Sequence, residues 1–178
     1  MEIDTSFQWE QEEKYTLSVS DEKVIIGATS RKGVFRACHT IARLIKNKEL
    51  CEGTLEDYPL FKVRGYIEGF YGHTWEEGKR LSVMGLMASY GMNTFYYAPK
   101  DDLYHREKWR ESYPENELSQ LKELFLTAKE NMLDFYWAIG PGLTYKYTSD
   151  EDFNILIEKI KSIMILKYNK KLEIMNFF

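Results

Sequence analysis

Cysteine is nearly absent from this chain. Cys38 and Cys51 stand alone among 178 residues, too few for a disulfide framework or a zinc knuckle. Cys38 falls on an apolar helical stripe, where a buried thiol is expected. Histidine is as sparse. His39, His73 and His105 are scattered, without HExxH or paired-ligand spacing, so no metal is expected. A basic surplus is missing too: 24 Lys and Arg face 28 Asp and Glu, for a formal net charge of −4. That balance speaks against a general nucleic-acid binder. No run of about 18 apolar residues occurs, so no membrane span is expected. Met1 is followed at once by acidic and polar residues, which is not the pattern of a secretory signal. No GxSxG elbow, Cys–His arrangement or glycine-rich phosphate fingerprint is found.

What the chain does have is apolar and aromatic mass. Hydrophobic residues make up 44% and aromatics 15%, with 13 Tyr, enough to bury a core. Aromatic rings fill cores and also stack on the apolar faces of sugars, and composition does not choose between the two uses.

Residues 1–14 are polar and charged and read as a solvated lead-in. Tyr15–Ser18 and Val24–Ala28, around Ser20-Asp21-Glu22, read as a hairpin. Ser30 has the chemistry of an N-cap. Val34, Cys38, Ile41 and Ile45 recur behind it at helical spacing, with Phe35, Ala42 and Leu44 widening the face. Glu52–Pro59 reads as a linker or boundary. From there the pattern changes to alternation. Phe61–Glu68 is a strand candidate, and Trp75–Tyr90 a helix closed by Gly91. Asn93–Tyr97 is a second strand, followed by a long polar loop from Pro99 to Tyr113. Pro114 opens a helix with Leu118, Leu121, Leu124, Phe125 and Ala128 on one face. Met132–Ile139 is a third strand, closed by Gly140-Pro141-Gly142. Ser149 and Asp152 have capping-box spacing ahead of a stripe of Phe153, Leu156, Ile157, Ile160 and Ile163 or Met164.

Strands separated by helices, with no hairpin between them, imply a parallel sheet. Polar and aromatic residues crowd the loop after each strand. A (β/α)8 barrel, with its site at the strand C-termini, fits this, and a doubly wound open sheet fits the alternation equally. The first strand end, Arg64-Gly65-Tyr66-Ile67-Glu68-Gly69-Phe70-Tyr71-Gly72, carries three glycines in nine residues. Bare backbone there could meet a ligand or simply make a tight turn. The second, Asn93-Thr94-Phe95-Tyr96-Tyr97-Ala98-Pro99-Lys100-Asp101-Asp102, sets a lysine beside two carboxylates. Adjacent residues of an extended segment point apart, so Asp101 and Asp102 are expected to cap or salt-bridge the loop rather than act on one bond.

Those two segments, the second continued through Leu103-Tyr104-His105-Arg106-Glu107-Lys108-Trp109-Arg110, and Phe135 through Gly142 together resemble the first three barrel strands of glycoside hydrolase family 84. This is the hyaluronidase and O-GlcNAcase type of β-N-acetylglucosaminidase. The likeness runs from about Tyr15 to Ile165. It implies a fold class of α/β: an incomplete (β/α)8 TIM barrel, about its first three β/α units. Residues 59–165 would be barrel and residues 166–178 a divergent tail. Residues 1–58 would be the C-terminal part of a β-N-acetylhexosaminidase-like α+β domain, so that the chain begins inside that domain.

It also implies hydrolysis of terminal β-linked N-acetylglucosamine by substrate-assisted retention, outside the two-carboxylate scheme, with no cofactor. The expected partner is an N-acetylglucosamine-containing glycan or glycoprotein. Carried over by position, Gly69 would offer its carbonyl to a sugar hydroxyl, Lys100 would donate to the sugar, and Phe70 and Tyr71 would shape the pocket. The family's Asp pair, one acid/base and one orienting the acetamido group, belongs to a fourth strand. The sequence after Ile165 contains no Asp, so no catalytic residue is assigned in this chain. The lysine-rich tail is expected to be out-of-frame sequence. A non-catalytic remnant, or a weak N-acetylglucosamine-binding fragment, is the alternative to an active enzyme. Bacterial relatives are usually secreted.

Overall fold

A computed structural model describes residues 9–69, 72–73 and 75–168. The fold is mixed α/β and divides into two compact units, Met1–Gly65 with Gly85–Asn93, and Tyr66–Met84 with Thr94–Phe178.

The first unit is built on an antiparallel sheet. A short helix α1 (Trp9–Glu13) leads into β1 (Tyr15–Val19), β2 (Val24–Ala28), helix α2 (Arg31–Asn47) and β3 (Gly53–Asp57). The strand order is β2-β1-β3, with Leu17 opposite Ile26 on one side and Leu55 on the other. Alternation along β1 turns Tyr15 and Leu17 onto α2, where both are buried against Ala37, with Ile26 and Ile41 at the margin. Ser30 caps α2 by accepting from the N–H groups of Lys32 and Gly33, which satisfies two of the four free donors of the first turn. At Gly33 α2 comes close to the backbone ahead of β1: a Cβ there would lie 2.5 Å from the Lys14 carbonyl oxygen.

Three expectations fail in this unit. The stretch before Tyr15 is not all solvated lead-in. Residues 1–8 lie outside the described residues, but Glu13 is buried and accepts from two arginines. The buried face of α2 is Gly33, Arg36, Ala37 and Thr40, about one residue round from the expected stripe. Val34 and Ile45 are exposed, as is the Cys38 thiol. Ion-pairing and hydrogen-bonding groups on the inner face masked the apolar periodicity there. Most of the expected linker is strand. The residues of β3 are exposed throughout, and an edge strand with no buried face carries no alternation to read.

The second unit is built on a parallel sheet. Strand β4 (Gly65–Glu68), which belongs to it from Tyr66 on, is followed by α3 (Glu77–Ser89), which belongs to it as far as Met84, and then by β5 (Thr94–Tyr97), α4 (Glu115–Glu130), β6 (Asp134–Trp137), a 3-10 turn (Gly142–Thr144) and α5 (Asp150–Tyr168). The order is β4-β5-β6, and β5 and β6 run parallel with Phe95 opposite Phe135. One face is buried: Phe95, Tyr97 and Phe135 are covered there, as are Leu121, Leu124, Phe125 and Ala128 of α4, and the Phe125 ring meets Phe135 edge-on at 4.5 Å. On the other face Tyr96 stacks on Tyr136 at 4.6 Å, and Ile67 is 60% exposed.

The first strand is shorter than expected. Phe61 and Val63 are exposed, and the Asn93 side chain takes up the Lys62 carbonyl and the Arg64 N–H, so side-chain bonds replace a ladder there. The α4 face is as the spacing predicts. On α5, Ile163 is buried but Phe153 and Met164 are exposed. The tail read from residue 166 begins as the end of α5, and residues 169–178 lie outside the described residues.

Candidate functional site

The carboxyl ends of β4, β5 and β6 lie along one edge of the parallel sheet. Hydrogen bonds step across them, from the Ala98 N–H to the Glu68 carbonyl (3.1 Å) and from the Ala138 N–H to the Tyr97 carbonyl (3.0 Å). Gly69 directly follows β4, Lys100 stands three residues beyond β5, and Gly140 three beyond β6. Gly69 and Lys100 therefore come to the same edge on adjacent strands, both half-buried. Phe70 and Tyr71 lie outside the described residues. The Gly140 N–H donates to the His105 carbonyl (3.1 Å), tying the third strand end to the loop after the second.

Beneath that edge runs a chain of buried polar contacts. Glu68, 0% exposed, takes two bonds of 2.8 Å from Nε and Nη2 of Arg80 on α3. The Arg80 guanidinium lies 5.2 Å from the centre of the Tyr97 ring. The Tyr97 hydroxyl donates to Oδ2 of Asp102 (2.9 Å), and so does the Tyr113 hydroxyl (2.8 Å). Oδ1 of Asp102 accepts from the N–H groups of Tyr104 (2.9 Å) and His105 (3.0 Å). One carboxylate thus takes four bonds and folds the loop around itself, as an Asx-type cap does.

The two adjacent aspartates part company. Asp102 is buried in this network, and Asp101 is exposed. They form a loop cap and a surface charge, not a pair aimed at one bond.

Burial, and then the charge of Asp102, push both Tyr97 and Tyr113 far above the usual phenol range, so they act as fixed donors. Burial holds His105 below its ordinary value, and its Nδ1 bonds the Ala138 carbonyl. Lys159 of α5 closes the loop from beneath. Its Nζ donates to the carbonyls of Tyr104 and Glu111 and sits 4.6 Å from the Tyr113 ring centre. Burial pushes its amino group down to about 8. Further out, Arg110 binds both oxygens of Asp152 (2.9 and 2.7 Å). The Asp152 N–H donates to Ser149 Oγ at 3.2 Å, which realises the N-terminal half of the capping box.

Sequence reasoning did not find the Glu68–Arg80 pair or the Tyr97–Asp102–Tyr113 cluster. A carboxylate ending an aromatic strand segment was the available signal, but its partner stands 12 residues on. The network makes no bond to Gly69 or Lys100 themselves. It includes Glu68 and Asp102, which stand close to them in sequence. Among the described residues, no group of three or more His, Cys, Asp or Glu is placed to hold a metal ion, and no helix is long and apolar enough to cross a membrane.

Comparison with known proteins places the same segment. Residues 64–170 match a family model described as beta-N-acetylglucosaminidase. Over 99 residues the chain is 36% identical to the Protein O-GlcNAcase of Rattus norvegicus, covering 56% of this chain and 11% of that protein. It is 30% identical over 110 residues to a Beta-N-acetylhexosaminidase of Cellulomonas fimi, covering 58% of this chain and 21% of that one. Among solved structures, CpGH84B superimposes with a TM-score of 0.79 at 39% identity, over 93% of this chain and 30% of that chain. A mutant O-GlcNAc hydrolase of Thermobaculum terrenum does so with a TM-score of 0.58 at 45% identity, over 60% of this chain and 23% of that chain. The chain spans less than a third of the length of each of these relatives.

Proposed function

The chain belongs to the β-N-acetylglucosaminidase family, glycoside hydrolase family 84, and from that premise we propose that it carries the front part of a sugar-binding barrel rather than a complete active site. Residues 59–165 are read as the first three β/α units of a (β/α)8 barrel, which as a whole has roughly 250 residues. The ligand is a terminal β-linked N-acetylglucosamine on a glycan or glycoprotein. The Gly69 carbonyl accepts from a sugar hydroxyl and the Lys100 ammonium donates to the ring, with Phe70 and Tyr71 shaping the pocket.

The observation that carries this reading is the placement of Gly69 and Lys100 on adjacent strand ends, inside the segment that matches the family model. In the complete enzyme, the substrate's own 2-acetamido oxygen would attack the anomeric carbon, with an aspartate pair from a fourth strand as acid/base and acetamido-orienting group. That Asp102 is consumed by four internal bonds supports the reading that Asp101 and Asp102 are not that pair. Loss of a general acid/base alone typically costs 10²–10⁴-fold. This chain is therefore expected to bind the sugar weakly and not to turn it over.

The deciding experiment is hydrolysis of a fluorogenic N-acetyl-β-glucosaminide by the 178-residue chain, beside an intact family member. N-acetylglucosamine binding to the parent and to Lys100→Met would be followed by NMR in parallel. No turnover, with weak binding that Lys100→Met abolishes, is the expected result. Turnover above background would overturn the placement of the catalytic pair and turn attention to Asp101, Asp102 and Glu68.

A further inference from the structure

One cavity of the first unit has more guanidinium than carboxylate on its wall. It measures about 430 Å³, and its charged lining is Arg36, Arg43 and Arg64 against Glu13 and Asp57, with His39 beside them. A single carboxylate serves two of the arginines: Oε2 of Glu13 accepts from Arg36 Nε (2.7 Å) and Arg64 Nη2 (2.6 Å). Asp57 is engaged by the Tyr15 hydroxyl at 2.8 Å. Every nitrogen of Arg64 has a partner, the other two donating to the carbonyls of Gly91 and Phe61. Arg43 is not. It is exposed, and Nη2 bonds the neutral Thr40 hydroxyl at 3.3 Å. Arg36 is 6% exposed, and its Nη2 is buried without a hydrogen-bond partner. The Phe35 ring, 5.6 Å from the Arg36 guanidinium carbon, offers a face but no acceptor atom. A buried donor left unpaired on a charged group costs more than a neutral one, and an anion in the cavity would offset part of that positive charge through space without bonding Nη2 itself. The surrounding field agrees: burial first, then the charges of Arg36 and Arg43, hold His39 below its ordinary value.

We infer that this cavity is a binding site for a small oxyanion, a carboxylate or a tetrahedral sulfate or phosphate group, held by the exposed Arg43 with the buried charge of Arg36 behind it. Guanidinium forks match either geometry and form charge-assisted bonds to both. The cavity lies wholly within the first unit and uses none of the residues at the parallel-sheet edge, so it stands apart from the sugar site proposed above.

The test is NMR titration of the His39 ring and the arginine side chains of the full chain, at constant ionic strength. Sodium sulfate, phosphate and acetate are added in turn, with chloride as the reference salt. Saturable shifts with a rise in the His39 pKa are expected, because a bound anion stabilises the imidazolium. Arg43→Gln should weaken binding about tenfold or more, and Arg43→Lys should keep part of it. Arg36 is left intact, since its loss would strip Glu13 of a partner. Saturation by acetate identifies a carboxylate site, and saturation by sulfate or phosphate alone a tetrahedral one. Either supports the inference. Shifts that match those of chloride, or binding unchanged in Arg43→Gln, would overturn it.

Discussion

Replacing Arg80 by leucine would strand the Glu68 carboxylate. That carboxylate has 0% exposure and takes two bonds of 2.8 Å from one guanidinium. Removing one partner of a buried ion pair leaves an uncompensated charge and typically costs about 3–5 kcal/mol. The guanidinium also lies 5.2 Å from the Tyr97 ring centre, a contact worth about 0.5–2 kcal/mol. Against a total stability of about 5–15 kcal/mol, the loss should be plain. Replacing both partners behaves differently, because an apolar pair of similar volume is often neutral or stabilising. Glu68→Leu/Arg80→Leu should therefore be more stable than Arg80→Leu alone. The assay is urea unfolding at neutral pH, followed by tryptophan fluorescence, with Trp109 and Trp137 both in the second unit. The midpoints of parent, single and double variants complete a cycle. A cost under about 1 kcal/mol for Arg80→Leu, or a double variant as weak as the sum of the singles, would refute the claim that this pair is a buried, mutually dependent unit.

Three further outcomes follow from the same geometry. Burial raises Glu13, but the charge and hydrogen bond of Arg36, then Arg64 and Asn93, outweigh it and hold the carboxyl below its ordinary 4.5. Its contribution is present above 4.5 and lost as pH falls through the depressed value. Acid unfolding of the first unit should thus flatten in Glu13→Gln, which should also cost about 3–5 kcal/mol at neutral pH because buried Arg36 is left behind. Lys159, pushed down to about 8 from 10.5 by burial, has released a proton that the unfolded chain still holds between those values. Stability should therefore rise from pH 8 to 10 in the parent and stay flat in Lys159→Met, as read from urea midpoints. At higher pH the trend reverses, since burial raises Tyr15 to about 12 and that contribution is lost as pH climbs from 10 through 12. Gly33→Ala should destabilise by about 1–3 kcal/mol through overpacking, despite alanine's better helix propensity, because its Cβ meets the Lys14 carbonyl oxygen at 2.5 Å. A raised thermal midpoint would count against the close approach described there.

Local patterns carried what depends on a few neighbouring residues. The hairpin at Tyr15–Ala28, the Ser30 cap, the face of α4 and the alternation from β4 to α5 all show in periodicity and turn chemistry. The segments at Gly69 and Lys100 were specific enough to suggest a family, and the match over residues 64–170 bears that out. What lay beyond reach were charges whose partners are remote. Glu13 looks like surface until Arg36, 23 positions on, and Arg64, 51 positions on, close over it. Asp102 caps the loop as its place in the sequence suggests, but that Tyr97 and Tyr113 both claim its other oxygen was not legible. Strand β3 has no buried face to announce it and exists because β1 offers a free edge. The sequence by itself determined most of the segments that coil or extend, β3 and the short α1 apart, because helix and strand periods are set over single turns and pleats. Which polar groups are buried, and so which remain free to meet a ligand, only the tertiary structure decided, because a charge enters the interior when a partner distant in the chain arrives to satisfy it.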